Sequence, residues 1–189
     1  MRSPMITRSG YDRGHLAPFK IAGGIRRGEN LGRNSTFCDQ ALYEVNYMTN
    51  IAPQYPSFNQ NGGLWYELES LIRERVAQGI DELWVLAGTI FWDGVVEMIG
   101  PELNVRVPQA FYKIVAWKPT ETSTQALAFL FPHQKARMGE IEHFLVSIDL
   151  LEALTGFDFF TSMQDASEID LEAGNTVVNL ESFLSQQSR

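Results

Sequence analysis

The chain has 189 residues, 44% of them hydrophobic and 12% aromatic, enough to bury the core of one globular domain, which excludes a disordered or fibrous chain. Its formal net charge of −8 excludes a protein that coats nucleic acid through bulk positive charge, because phosphate neutralisation supplies most of that affinity. The single cysteine, Cys38, excludes an intrachain disulfide and a thiolate zinc cluster. An enzyme that meets phosphate through a few local arginines is left open.

Residues 1–10 read as an entering tail without the apolar stretch of a secretory leader, and no apolar run in the chain reaches the roughly 18–20 residues of a membrane span. YDRGHLA (11–17) places a histidine directly after an Asp-Arg-Gly turn. Residues 18–36, with four glycines and three arginines, predict an exposed basic loop. ALYEVNYMTNIAPQ (41–54) predicts a short strand that ends in a loop at Ala52-Pro53. From Leu64 to Gln78 the spacing of Leu64, Leu68, Leu71, Ile72 and Val76 predicts an amphipathic helix, stopped by Gly79. ELWVLAGTIF (82–91) predicts a buried strand, and two further strands follow at 107–117 and 125–132. Residues 140–156 predict one or two short helices ending at Gly156. Beyond Thr161 the chain turns polar and acidic, with a short helix around Val177 to Leu184. This order predicts an α+β domain around an antiparallel or mixed sheet.

Taken alone, DRGH is a weak signal, since a histidine beside a turn is more often structural than catalytic. It gains weight from TNIAPQYPSFNQNGGLWYELE (49–69), which holds Asn50, Asn59 and Asn61 ahead of the helix and Glu69 one turn beyond Trp65. Neutral oxygens beside a carboxylate and a histidine, with no thiolate, suit a hard divalent ion such as Mg²⁺. Histidine titrates near neutrality and can take a proton from water. Arginine can clamp a phosphate oxygen. Base, metal and clamp together are what phosphodiester hydrolysis requires. His133 and His143 lie outside these clusters, and Trp65 reads as a core residue.

YDRGHLAP, TNIAPQ, FNQN and WYELE together resemble the DNA/RNA non-specific endonucleases, the ββα-metal or His-Me finger nucleases that include endonuclease G. ELWVLAGTIF, VRVPQAFYKIVAW and EHFLVSIDLLEALTGFDFF continue the resemblance in order, over roughly Arg8 to Phe160. It implies a nuclease domain at 8–160, a mixed or antiparallel central sheet, a long metal-site helix, and a polar acidic tail at 161–189. It implies His15 as general base, Arg13 on phosphate or holding the site's shape, Asn50 supporting the site, and Glu69 orienting a water beside a Mg²⁺ ion that Mn²⁺ can replace. Products would be 5′-phosphate ends of DNA and RNA.

The direct metal ligand stays open between two asparagines. Counting forward from Gln54 selects Asn59, and counting back from Trp65 selects Asn61, because two extra residues lie between. A helix continuous through Gly62-Gly63 favours Asn61; a looped start, which two glycines promote, favours Asn59. The long loop after the motif adds Lys20, Arg26, Arg27 and Arg33, as a patch for nucleic acid or simply a solvated face. Family members carry a substantial segment ahead of DRGH, so with ten residues before Tyr11 the N-terminal part of the fold is expected to be truncated. The competing expectations are a catalytically impaired relative that binds nucleic acid or another partner, and a toxin domain from a longer protein. The resemblance leaves room for a homodimer and an inhibitor protein. It assigns no compartment, its members being secreted, periplasmic or mitochondrial.

Overall fold

The computed structural model describes residues 9–17, 40, 43–77, 83–100, 104–120, 123–161, 180 and 183. Lys20, Arg26, Arg27 and Arg33 of the predicted basic loop, together with Cys38, Gln78 and Gly79, lie outside the described residues.

Strands β1 (Asp12–His15) and β2 (Ile51–Gln54) form a two-stranded antiparallel ladder, with Asp12 opposite Gln54 and His15 opposite Ile51. A single-turn helix α1 (Pro56–Asn59) follows, then the long helix α2 (Leu64–Ala77). The rest of the described chain runs through β3 (Leu83–Ile90), the two-residue strands β4 (Met98–Ile99) and β5 (Val105–Arg106), β6 (Ala110–Thr120), β7 (Ser123–Pro132), β8 (Leu145–Val146) and helix α3 (Ile148–Thr155). Four of these strands make one antiparallel sheet in the order β3-β6-β7-β8.

Alternation along the central strand β6 decides how the layers stack, since successive side chains leave opposite faces of a sheet. Phe111, Val115 and Trp117 join Trp65, Leu68 and Ile72 of α2 in one buried cluster. Ala110, Tyr112 and Ile114 join Ile148 and Leu151 of α3 and Phe159 in the other. The sheet is thus covered by α2 on one face and by α3 on the other. Each large apolar side chain buried this way contributes about 1.5–3 kcal/mol. Ser147 caps α3 by accepting the Leu150 N–H at 3.2 Å, and Gly156, in the left-handed region, stops it.

Four expectations change. DRGH is an extended strand rather than a turn. Its partner strand is Ile51–Gln54, whereas Met48–Asn50, expected inside the strand, forms a 3-10 turn. Pro53 is tolerated in β2 because that strand is paired on one side only among the described residues. β3 is not a buried central strand: it lies at the end of the strand order, most of its side chains are half-buried, and Trp84 is exposed. Finally, two side chains of the polar tail enter the core, since Leu180 and Phe183 are buried and the Phe183 ring packs 4.8 Å from that of Trp117.

Candidate active site

β1 gathers the candidate site around itself. At its C-terminal end, the indole N–H of Trp65 donates to the backbone carbonyl of His15 at 3.1 Å. This bond fixes the backbone beneath the half-buried imidazole, whose Nε2 lies 3.4 Å from Asn46 Oδ1. At its N-terminal end, the Asp12 carboxylate accepts from Asn59 Nδ2 at 3.0 Å and from Gln60 Nε2 at 2.9 Å. Gly14, between these anchors, is needed for close approach: a Cβ there would overlap the Gln54 side chain. Gln54 is fully buried, and neither of its amide atoms has a partner among the described residues. Arg13 sits opposite Pro53 with its Nε buried and likewise unpartnered.

Asn50 ties Ala17, just after β1, to Val45. Its Oδ1 accepts the Ala17 N–H at 2.8 Å, and its Nδ2 donates to the carbonyls of Ala17 at 3.0 Å and Val45 at 2.8 Å. Asn50 therefore holds the backbone just after the motif against Val45 through its whole carboxamide. The two candidate metal asparagines part company. α2 begins at Leu64, after a turn in which Gly62 has φ +90°, so no continuous helix runs back to either asparagine. Asn59 ends α1 and faces Asp12, whereas Asn61 is exposed in the turn.

Glu69 lies one turn beyond Trp65 on α2, and one of its oxygens is engaged. Lys113 Nζ donates to Glu69 Oε1 at 3.2 Å. Lys113 is fully buried, with Nζ 3.7 Å from the centre of a Trp65 ring. Burial, and to a smaller extent Arg73 nearby, lowers its ammonium to a pKa of about 8 against the opposing pull of Glu69. Sequence reading missed this lysine. The available signal was alternation, for position 113 falls on the same face as Phe111, Val115 and Trp117, where an apolar residue belongs.

His133 also proves structural. Its Nε2 accepts the Tyr55 backbone N–H at 2.9 Å, and its Nδ1 lies 2.8 Å from the Pro108 carbonyl. An N–H donor on one side and a carbonyl on the other require the neutral tautomer with the proton on Nδ1. Burial lowers its pKa from the ordinary value of 6.5, opposed by the bond to Pro108. The ring thereby joins the start of α1 to the segment leading into β6.

These groups suit a hard cation. Asn59 commits its N–H to Asp12 and Glu69 commits Oε1 to Lys113, leaving Asn59 Oδ1 and Glu69 Oε2 without a hydrogen bond among the described residues. No group of three or more His, Cys, Asp or Glu side chains able to hold a metal occurs among those residues. One amide oxygen and one carboxylate oxygen match an ion that keeps most of its own waters.

Comparison with known proteins gives the geometry its context. Residues 3–166 match the family model described as DNA/RNA non-specific endonuclease. The chain is 32% identical over 174 residues to human mitochondrial nuclease EXOG, covering 85% of this chain and 43% of that protein. It is 32% identical over 179 residues to a nuclease of a Nostoc species, with 89% and 57% covered. The Serratia marcescens nuclease is 24% identical over 163 residues, with 86% and 55% covered. Thus the chain spans about half the length of these curated relatives. A chain in the crystal structure of the EndoG/EndoGI complex superposes with a TM-score of 0.64 at 27% identity, over 85% of this chain and 63% of that one. The chain belongs to the DNA/RNA non-specific endonuclease family and has its ββα-metal fold.

Proposed function

We propose that this member of the DNA/RNA non-specific endonuclease family is a Mg²⁺-dependent endonuclease, with residues 8–160 as its nuclease domain, that hydrolyses DNA and RNA to 5′-phosphate ends. The observation supporting this most directly is that one strand is tied to every element the chemistry needs: Asp12 to Asn59, His15 through its carbonyl to Trp65, and Trp65 through Lys113 to Glu69.

In this reading the His15 imidazole accepts the proton of an attacking water, the water oxygen bonds to phosphorus, and the bond to the 3′ oxygen breaks. Asn59 Oδ1 and Glu69 Oε2 hold the ion and its water shell, and Asn61, exposed in the turn, is the lesser candidate. When bound, Mg²⁺ stabilises negative charge on the phosphate and on the departing 3′ oxygen. Arg13, fixed in β1, contacts phosphate, and Asn50 keeps the chain beside His15 in shape. The solved neighbour is an inhibited nuclease, which supports an inhibitor protein as a partner of this chain too.

The test is nicking of supercoiled plasmid and degradation of RNA in Mg²⁺. EDTA should abolish both, and His15→Ala should slow both by about 10²–10⁴-fold, the usual loss on removing a general base. Parental rates in His15→Ala would overturn the mechanism. Binding without cleavage by the parent would favour the impaired-relative reading.

A further inference from the structure

We propose that Lys113 is a positioning residue of the hydrolytic site, holding the Glu69 carboxylate and the Trp65 indole in the places from which they act. The proposal rests on the nuclease reading above and extends it to a residue on the far side of the helix–sheet interface.

Lys113 is the one charged position in the inward series Phe111, Lys113, Val115, Trp117 of β6, and its side chain is fully buried. Burying an ammonium is costly, and an apolar side chain of similar volume would fill the slot at least as stably. What the ammonium provides instead is direction. Its N–H bond at 3.2 Å fixes Oε1 of Glu69, and so which oxygen the carboxylate turns away from the core. The same Nζ lies 3.7 Å from the centre of a Trp65 ring, close enough for the cation to fix the tilt of the indole. That indole donates to the His15 carbonyl. One buried cation thus touches both the carboxylate proposed to face the ion and the ring that steadies the proposed base.

The proposal predicts an effect on metal affinity that packing alone would not produce. Mn²⁺ binding to the full chain, followed by electron paramagnetic resonance without nucleic acid, is compared for the parent, Lys113→Met, Glu69→Gln and the double variant. Lys113→Met and Glu69→Gln should each weaken Mn²⁺ binding by about 10–100-fold, the range for partners that orient metal ligands. The double variant should be no weaker than Glu69→Gln alone, because Lys113 acts on the ion through Glu69. A folded Lys113→Met with parental affinity overturns the proposal, as does a double variant in which the two losses multiply. Should Lys113→Met not fold, Lys113→Gln takes its place: it should weaken Mn²⁺ binding in the same way, and parental affinity in it overturns the proposal. A parent that cuts and binds Mn²⁺ beside an equally competent Lys113→Met overturns this proposal alone. A parent that does neither overturns the nuclease reading and this proposal with it.

Discussion

The four-stranded sheet and the short segment carrying His15 and Asn59 are held by different forces. In the sheet, β6 pairs with β3 and β7 over most of its length and buries aromatic and branched side chains against a helix on either face. β1 and β2 are four residues each, too short to fix their own geometry. They depend on side-chain bonds: Trp65 on the His15 carbonyl, Asn50 on Ala17 and Val45, His133 on Tyr55, and Asn59 and Gln60 on Asp12. Each such bond contributes about 0.5–1.5 kcal/mol. The difference teaches that stability and site geometry are controlled from separate places, joined at α2 and Lys113.

That separation can be broken most forcefully from the sheet side. Leu151 of α3 is fully buried on the sheet face turned away from α2, so Leu151→Ala should cost about 2–5 kcal/mol in urea unfolding. Cleavage per folded molecule should stay at the parental rate; a matching fall in that rate would merge the two regions into one. From the site side, Asn59→Ala should raise the Mg²⁺ concentration for half-maximal nicking by about 10–100-fold, and Asn61→Ala should barely move it. Equal small effects would remove both from the ligand role.

A smaller change sharpens the boundary. Trp65→Phe retains an aromatic body but deletes the N–H bonded to His15, an effect of about 0.5–1.5 kcal/mol. It should appear more in the nicking rate than in the urea midpoint. The least effect concerns acid. Because His133 has a folded pKa below its ordinary 6.5, the unfolded chain takes up a proton that the folded chain refuses. Its stabilising contribution is therefore complete above pH 6.5 and is lost as the pH falls below that value. Urea unfolding at pH 7.5 and pH 5 should show this decline in the parent and a shallower one in His133→Gln.

The sheet and the long helix were legible because their signal is local. Leu64, Leu68 and Ile72 recur at helical spacing, and β6 and β7 are apolar runs between polar turns. The site region was legible in its residues but not in its backbone. Met48–Asn50 and Ile51–Gln54 exchange the roles of turn and strand, and the bonds that flank them join residues distant in sequence, Asn50 with Ala17 and Tyr55 with His133. The preference proposed for Asn59 over Asn61 rests on where α2 begins, which local spacing left open and the φ of +90° at Gly62 makes visible. The edge position of β3 depends on which strands surround it, and the Lys113–Glu69 pair joins residues 44 apart in the chain. Neither has a signature within its own segment.

Asp12 has a consequence beyond holding Asn59 in place. A carboxamide has two nearly isosteric ends, so an asparagine on its own can present oxygen or nitrogen to a neighbour. An ionised carboxylate only accepts, so Asp12 admits one of those two orientations. The acid at the head of DRGH thus works as a polarity key: it takes the Nδ2 end of Asn59 and leaves Oδ1 for the ion proposed above. Asp12→Asn would keep the shape and lose the sorting.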